Sequence, residues 1–219
     1  MRYHFKTIVY LYVFIGYSLC NAGSYEDFFS AIKRDDATVV SQLLNRGFDP
    51  NTLDPSGSYG LMLALMEPSL KVIDVLVAHP GTKIEVRNSS DENPLMLASI
   101  KGLVEVCKRL IARDADVNKP GWTPLHYAAS GAQAPVMRLL LDNYAYIDAA
   151  SPNGSTPLML AAMYGSTSAV KLLLESGADP TLKNTLALSA IDFARQAGQT
   201  DSVEVIAAFI RARKPAGAW

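Results

Sequence analysis

From about residue 24 onward the apolar positions fall into pairs of short blocks at helical spacing, and the pairs recur. In its clearest form the first block reads Thr123-Pro124-Leu125-His126-Tyr127-Ala128-Ala129 and returns as Thr156-Pro157-Leu158-Met159-Leu160-Ala161-Ala162. Weaker copies are Asn93-Pro94-Leu95-Met96-Leu97-Ala98 and Tyr59-Gly60-Leu61-Met62-Leu63-Ala64, and degenerate ones are Glu26 to Ala31 and Ser189 to Ala194. Their third residues, Phe28, Leu61, Leu95, Leu125, Leu158 and Ile191, are separated by 33, 34, 30, 33 and 33 positions. A fixed period of this size is the mark of a repeat architecture.

About ten residues after each first block comes a second apolar helix: Val39 to Leu44, Val72 to Val77, Val106 to Ile111, Val136 to Leu141, Val170 to Leu174 and Val203 to Ile210. A turn then recurs, as Gly47-Phe48-Asp49-Pro50-Asn51, Asp114 to Asn118 and Gly177-Ala178-Asp179-Pro180. Gly47 and Gly177 stand where a helix closes on a left-handed residue. Thr123 and Thr156 are placed to cap helices that begin with Pro124 and Pro157. The Ala128-Ala129 and Ala161-Ala162 pairs let helices approach closely, while the leucines bury against the neighbouring repeat. No single repeat hides its apolar face alone, so stability is shared between neighbours.

Thr-Pro-Leu-His, the alanine pair, the leucine-rich second helix and Gly-Ala-Asp together resemble the ankyrin repeat over residues 24–213. The resemblance implies an all-α fold, a solenoid of about six helix-turn-helix repeats with β-turn fingers. The repeats are set at approximately 24–54, 55–88, 89–119, 120–151, 152–184 and 185–214, with a tail over 215–219. Two spacings depart from the pattern. Only Lys119, Pro120 and Gly121 separate Asn118 from Trp122, which predicts a truncated finger. The connection through His79-Pro80-Gly81 is one residue longer and predicts an irregular turn.

Residues 1–22 read as a secretory signal peptide: basic Arg2 and Lys6, then 13 residues from Thr7 to Leu19 without a charge, then Cys20-Asn21-Ala22 with cleavage after Ala22. The apolar run is shorter than the roughly 20 residues a bilayer crossing takes, and Leu19 is the wrong neighbour for a lipoprotein cysteine. Export to the periplasm of a Gram-negative-type bacterial envelope, or full secretion, is the expectation, with membrane contact only through an uncleaved signal segment. Cleavage leaves 18 basic and 21 acidic groups, a balance of −3 against −1 for the whole chain. Neither value provides the field a nucleic-acid binder needs. It also leaves Cys107 alone, at an apolar helix position that reads as core.

Catalytic and cofactor signatures are missing from the sequence. His126 holds the motif position whose role, by the resemblance, is to fix the turn through hydrogen bonds. No metal set, phosphate loop or dinucleotide fingerprint is present. The expectation is therefore a module that catalyses nothing, needs no cofactor and binds a protein partner. By the resemblance, partners meet the concave side. Met66, Ile100, Trp122, Met163 and Tyr164 would form an apolar strip there, with Leu53, Asp54, Ser89, Ser90, Asn153 and Asn184 as polar rim. Tyr144 and Tyr146 read as an idiosyncratic turn. An immunity- or regulator-like inhibitor of an envelope enzyme and a host-directed effector are variants of this reading. A metal- or oxidant-handling accessory protein and a structural envelope spacer are the rivals from other classes.

Overall fold

The computed structural model describes residues 23–67 and 69–213; the expected signal peptide and the tail lie outside the described residues. Twelve helices are described: α1 (23–33), α2 (Ala37–Asn45), α3 (Gly60–Met66), α4 (Leu70–Ala78), α5 (Pro94–Ile100), α6 (Val104–Ile111), α7 (Pro124–Ser130), α8 (Ala134–Asp142), α9 (Pro157–Tyr164), α10 (Thr167–Glu175), α11 (Ala190–Gln196) and α12 (Thr200–Arg213). No strand occurs among the described residues, only an isolated bridge between Leu53 and Tyr59. The fold is all-α, in helix pairs at the spacing the sequence repeat predicts. It forms two compact units, one up to Lys83 and one from Ile84, so the division falls just past the irregular His79-Pro80-Gly81 connection.

Local chemistry explains why the helices start and stop where they do. Asn93, Thr123 and Thr156 each accept the backbone N–H three residues on, at 2.9, 3.4 and 3.4 Å. Proline follows each of them as the first helical residue, where its missing N–H costs nothing. At α11 the bonds run back to the cap, with the Asp192 carboxylate accepting from both the N–H and the hydroxyl of Ser189, at 2.9 and 2.6 Å.

Both helices of a pair usually close in the same way, with a left-handed residue followed by an N–H that reaches five residues back. For first helices these are Asp36 to Ala31, Leu103 to Ala98, Gln133 to Ala128 and Gln199 to Ala194, just after the left-handed Asp35, Gly102, Ala132 and Gly198. For second helices they are Phe48 to Leu43, Ala115 to Leu110, Ala145 to Leu140 and Ala178 to Leu173, after Gly47, Asp114, Tyr144 and Gly177. Tyr144 thus stands where two other repeats use glycine.

In the unit from Ile84, α5 packs on α7, α7 on α9 and α9 on α11, while α6, α8, α10 and α12 form a second row. Leu95, Leu125, Leu158, Ala128, Ala129 and Ala162 are wholly buried between the rows. Cys107 is buried among them, and burial raises its thiol to about 11, as suits a core residue. In the unit up to Lys83, Phe28 lies against Phe48 and α4 packs on both α2 and α3.

Side-chain amides stitch neighbouring turns. Asn51 donates to the Gly81 carbonyl and accepts from the Lys83 N–H, at 2.8 and 2.7 Å. Asn118 repeats the device with the Tyr144 carbonyl and Tyr146 N–H, at 2.8 and 2.7 Å. The exposed Tyr144 and Tyr146 therefore belong to a stitched turn.

The tightest contacts with backbone atoms sit at the ends of the first helices. A Cβ on Gly131 would lie 2.6 Å from the Ile100 carbonyl oxygen, and one on Gly165 would lie 2.6 Å from that of Ala129 and 2.8 Å from that of Ala161. These are backbone atoms, which cannot swing aside as a side chain does. Replacing Gly165→Ala should lower unfolding stability by about 2 kcal/mol, read as a fall in the urea midpoint at unchanged m-value. A loss below about 0.5 kcal/mol would mean that the helices part freely at this point.

Candidate functional site

Four fingers are built to one plan, by a polar side chain that folds back on its own loop. Asp54 accepts from the N–H groups of Ser56 and Ser58, Asn88 from Ser90 and Glu92, and Asn184 from Leu186 and Leu188, all at 2.8 to 3.1 Å. Ser151 and Asn153 share the task for the Ser155 N–H, at 3.0 and 3.2 Å. Successive fingers also join directly, the Thr185 N–H donating to the Asn153 carbonyl at 3.0 Å.

The finger expected to be short is short, turning through the left-handed Gly121. Lys119 takes an unforeseen place there. Its side chain is buried, with the ammonium donating to the Asp91 carboxylate and, at 3.1 Å, to the Pro120 carbonyl. Lys119 and Arg87 together hold the Asp91 carboxyl below the usual range. A cation from the truncated finger thereby ties down the longer finger before it.

Beside this finger lies a cavity of about 510 Å³, lined by Glu92, Ile100, Trp122, Tyr127, Ser130, Leu160 and Tyr164. Three residues of the expected strip converge in it: Ile100, 38% exposed, Tyr164, 63% exposed, and the half-buried Trp122. The others do not. Met163 is half-buried and lies outside the lining, and Met66, 55% exposed, ends α3 in the other unit. Leu53, Ser89, Ser90 and Asn153 are exposed finger residues, and Asp54 is half-buried with its carboxylate engaged in its own turn. Asn184 is a correction. It is only 6% exposed, because its amide oxygen is turned inward to hold its finger, so it forms no rim.

Glu92, Tyr127 and Leu160 escaped the sequence reading, although the repeat contains a signal for them. Tyr127 stands three residues before Ser130 and Leu160 four before Tyr164 in their helices, hence on the same face. Glu92 holds in its repeat the place that Trp122 holds in the next. The Tyr127 hydroxyl donates to one Glu92 oxygen at 2.7 Å, and the Asn88 amide donates to the other at 2.6 Å. Burial and the Glu92 carboxylate both push the Tyr127 phenol well above its ordinary value, so it remains a donor.

His126 fixes the floor behind the cavity. Its ring is wholly buried, edge-on to Trp122 with centroids 5.3 Å apart. Nε2 lies 2.9 Å from the Ser155 carbonyl, an acceptor, so this nitrogen carries the proton. Nδ1 then accepts from the Thr123 N–H at 3.2 Å and from the Thr123 hydroxyl at 2.8 Å. The turn-fixing role implied by the resemblance is thus explicit: one neutral imidazole ties its own helix start to the next finger. Among the described residues no group of three or more His, Cys, Asp or Glu side chains could hold a metal, and no helix is long and apolar enough to cross a membrane.

The family model for ankyrin repeats (3 copies) matches residues 28–120 and 114–184. The p105 subunit of nuclear factor NF-kappa-B from Gallus gallus is 33% identical over 161 residues, 70% of this chain and 16% of that protein. The ankyrin repeat and KH domain-containing protein mask-1 of Caenorhabditis elegans is 35% identical over 158 residues, 68% of this chain and 6% of that one. The chain therefore spans less than a fifth of these curated relatives. Among solved structures, a chain of the complex between the predatory endopeptidase Bd0816 from Bdellovibrio bacteriovorus and immunity protein Bd3460 matches with TM-score 0.71 and 26% identity. The match covers 84% of this chain and 97% of that one.

Burial lowers the folded His126 from its ordinary 6.5 to about 4. The unfolded chain therefore binds the proton first, and acid favours unfolding between those values. The neutral ring's contribution is complete above about pH 6.5 and is lost as pH falls to about 4, a total of about 3 kcal/mol. Met159 fills the same position in the next repeat, accepting the Thr156 N–H at 3.4 Å. His126→Met should accordingly flatten the fall in stability from about pH 6.5 to 4 by up to one proton's worth of slope, measured by urea unfolding across the window. An unchanged slope would mean that the ring titrates normally in the fold.

Proposed function

The chain belongs to the ankyrin-repeat family, and on that premise we propose that it is an exported protein-binding module. It docks one partner on the face where the fingers and the ends of the first helices meet. The observation that carries this reading is the convergence of Ile100, Trp122 and Tyr164 on one open cavity. Large aromatic side chains around a recess are what binding hot spots favour. The support beneath them is rigid: capped helices, fingers closed by their own side chains, and the Thr123–His126–Ser155 bonds behind Trp122. A preorganised surface loses little conformational entropy on association.

Within this reading the chain acts by occlusion, as an inhibitor of a partner enzyme in the same compartment. The match, over 84% of this chain and 97% of the other, to a chain of an endopeptidase–immunity protein complex supports that variant. Export rests on the basic start and the 13-residue uncharged run that precede Cys20-Asn21-Ala22. The chain recovered from the periplasm or medium should have the mass of one beginning at Gly23, and a chain retained in the cytoplasm with Met1 would refute export.

The binding reading is tested by affinity capture from an envelope extract, with the wild type beside a Trp122→Ala/Tyr164→Ala double variant whose circular dichroism is unchanged. One protein held by the wild type and lost by the variant is the expected result. Equal retention by both would remove the cavity from the binding face, and retention by neither would count against a partner in that compartment.

A further inference from the structure

The cavity over α5, α7 and α9 carries one feature that a purely apolar recess lacks. Its walls are aromatic and aliphatic, and Glu92 is the only charged residue in its lining. Arg87 and Lys119 both engage the Asp91 carboxylate, and neither lines the cavity.

Glu92 is also unsaturated as an acceptor. An ionised carboxylate has about four acceptor positions, and the Tyr127 hydroxyl and the Asn88 amide take one on each oxygen. Among the described residues that leaves one position on each oxygen, room for two N–H donors. The Ser130 hydroxyl donates to the Tyr127 carbonyl at 3.0 Å and so keeps its lone pairs for a further donor. Electron-rich ring faces beside a carboxylate attract a cation, and a planar guanidinium satisfies both by stacking on a ring while meeting the oxygens bidentately. An ammonium is a compact point charge that does neither as well.

We propose that this cavity takes an arginine side chain of the protein partner, with the guanidinium held by Glu92 against Trp122 and Tyr164. The assignment rests on the reading of this face as the docking surface and names the chemistry that anchors there. The occupant is a surface arginine of a folded partner or an exposed loop. A second copy of this chain presenting an apolar side chain would leave the carboxylate desolvated and without a counter-charge, which is costly.

The test uses the full chain with 15N-labelled tryptophan, the Trp122 indole signal being assigned with Trp219→Phe. N-acetyl-arginine amide, N-acetyl-citrulline amide (similar in shape, uncharged) and N-acetyl-norleucine amide are titrated at constant ionic strength. Arginine amide should move the Trp122 signal and bind roughly tenfold more tightly than citrulline amide. Glu92→Gln, which keeps an acceptor for Tyr127, should erase most of that advantage. If that variant fails to fold, Tyr164→Ala, on an exposed residue, should weaken arginine binding severalfold instead. Equal binding of arginine and citrulline, tightest binding of norleucine, an arginine advantage that survives Glu92→Gln, or a Trp122 signal that none of the three moves would each overturn the assignment. A partner captured through Trp122 and Tyr164 while arginine amide fails would sink this inference and leave the docking surface standing.

Discussion

The close approach of successive first helices is the constraint on which the rest of the larger unit depends. Gly131 and Gly165 end α7 and α9 against carbonyl oxygens of the helix before, at distances that leave no room for a Cβ. Small residues line the same interface, with Ala98, Ala128, Ala129, Ala161 and Ala162 buried along it. Leucines of both helix rows fill the core, and on the outer face of the first helices Tyr127, Leu160 and Tyr164 meet in the cavity. The recess follows from this packing: helices that touch at their ends hold the large side chains of their outer face side by side.

Hydrogen bonds extend this constraint into the fingers. Each full finger is closed by its own polar side chain, so its backbone needs no partner strand. His126 then joins the start of α7 to Ser155 across the repeat boundary. That bond has consequences in two directions. It requires a neutral ring, which makes acid the natural perturbant of this repeat, and it holds the ring edge on which Trp122 rests. Lys119 and Asp91 perform the corresponding task across the shortened finger, with a charge pair where the next boundary uses an imidazole and a carbonyl.

What was legible in the sequence was what repeats. The period near 33 residues, the Thr-Pro starts and the glycine closures fixed the helix pairs, because each is a local rule that every repeat obeys for itself. The site was legible only in part. Ile100, Trp122 and Tyr164 were grouped because they occupy positions that differ from repeat to repeat, and the structure brings these three to one cavity. Glu92 and Tyr127 were missed because their importance lies in a bond between repeats, 35 positions apart, which no single copy displays. Asn184 was misplaced for the opposite reason. A polar residue at a finger tip looks like a contact residue, but there it is spent inside the turn. Buried Lys119 falls in neither class. Its burial follows from the missing finger residues, which shorten the loop until the side chain reaches back to Asp91.

As the proposed arginine site, a recess of aromatic rings with one carboxylate would select as much by what it rejects as by what it holds. An acidic side chain entering it would meet Glu92 at short range once docking excludes water, and like-charge juxtaposition of that kind is strongly unfavourable. A purely aliphatic one would gain contact area with Trp122, Leu160 and Tyr164 but strip water from Glu92 without replacing it. Only a donor-rich side chain keeps both gains, the apolar contact along its stem and the paired charge at its tip. Specificity then arises from the difference between these outcomes rather than from the affinity of any one. That explains why a surface assembled from common repeat positions need not be promiscuous. The fold supplies an apolar face, and in the proposed site one carboxylate, positioned by Tyr127 and Asn88, gives that face a preferred guest.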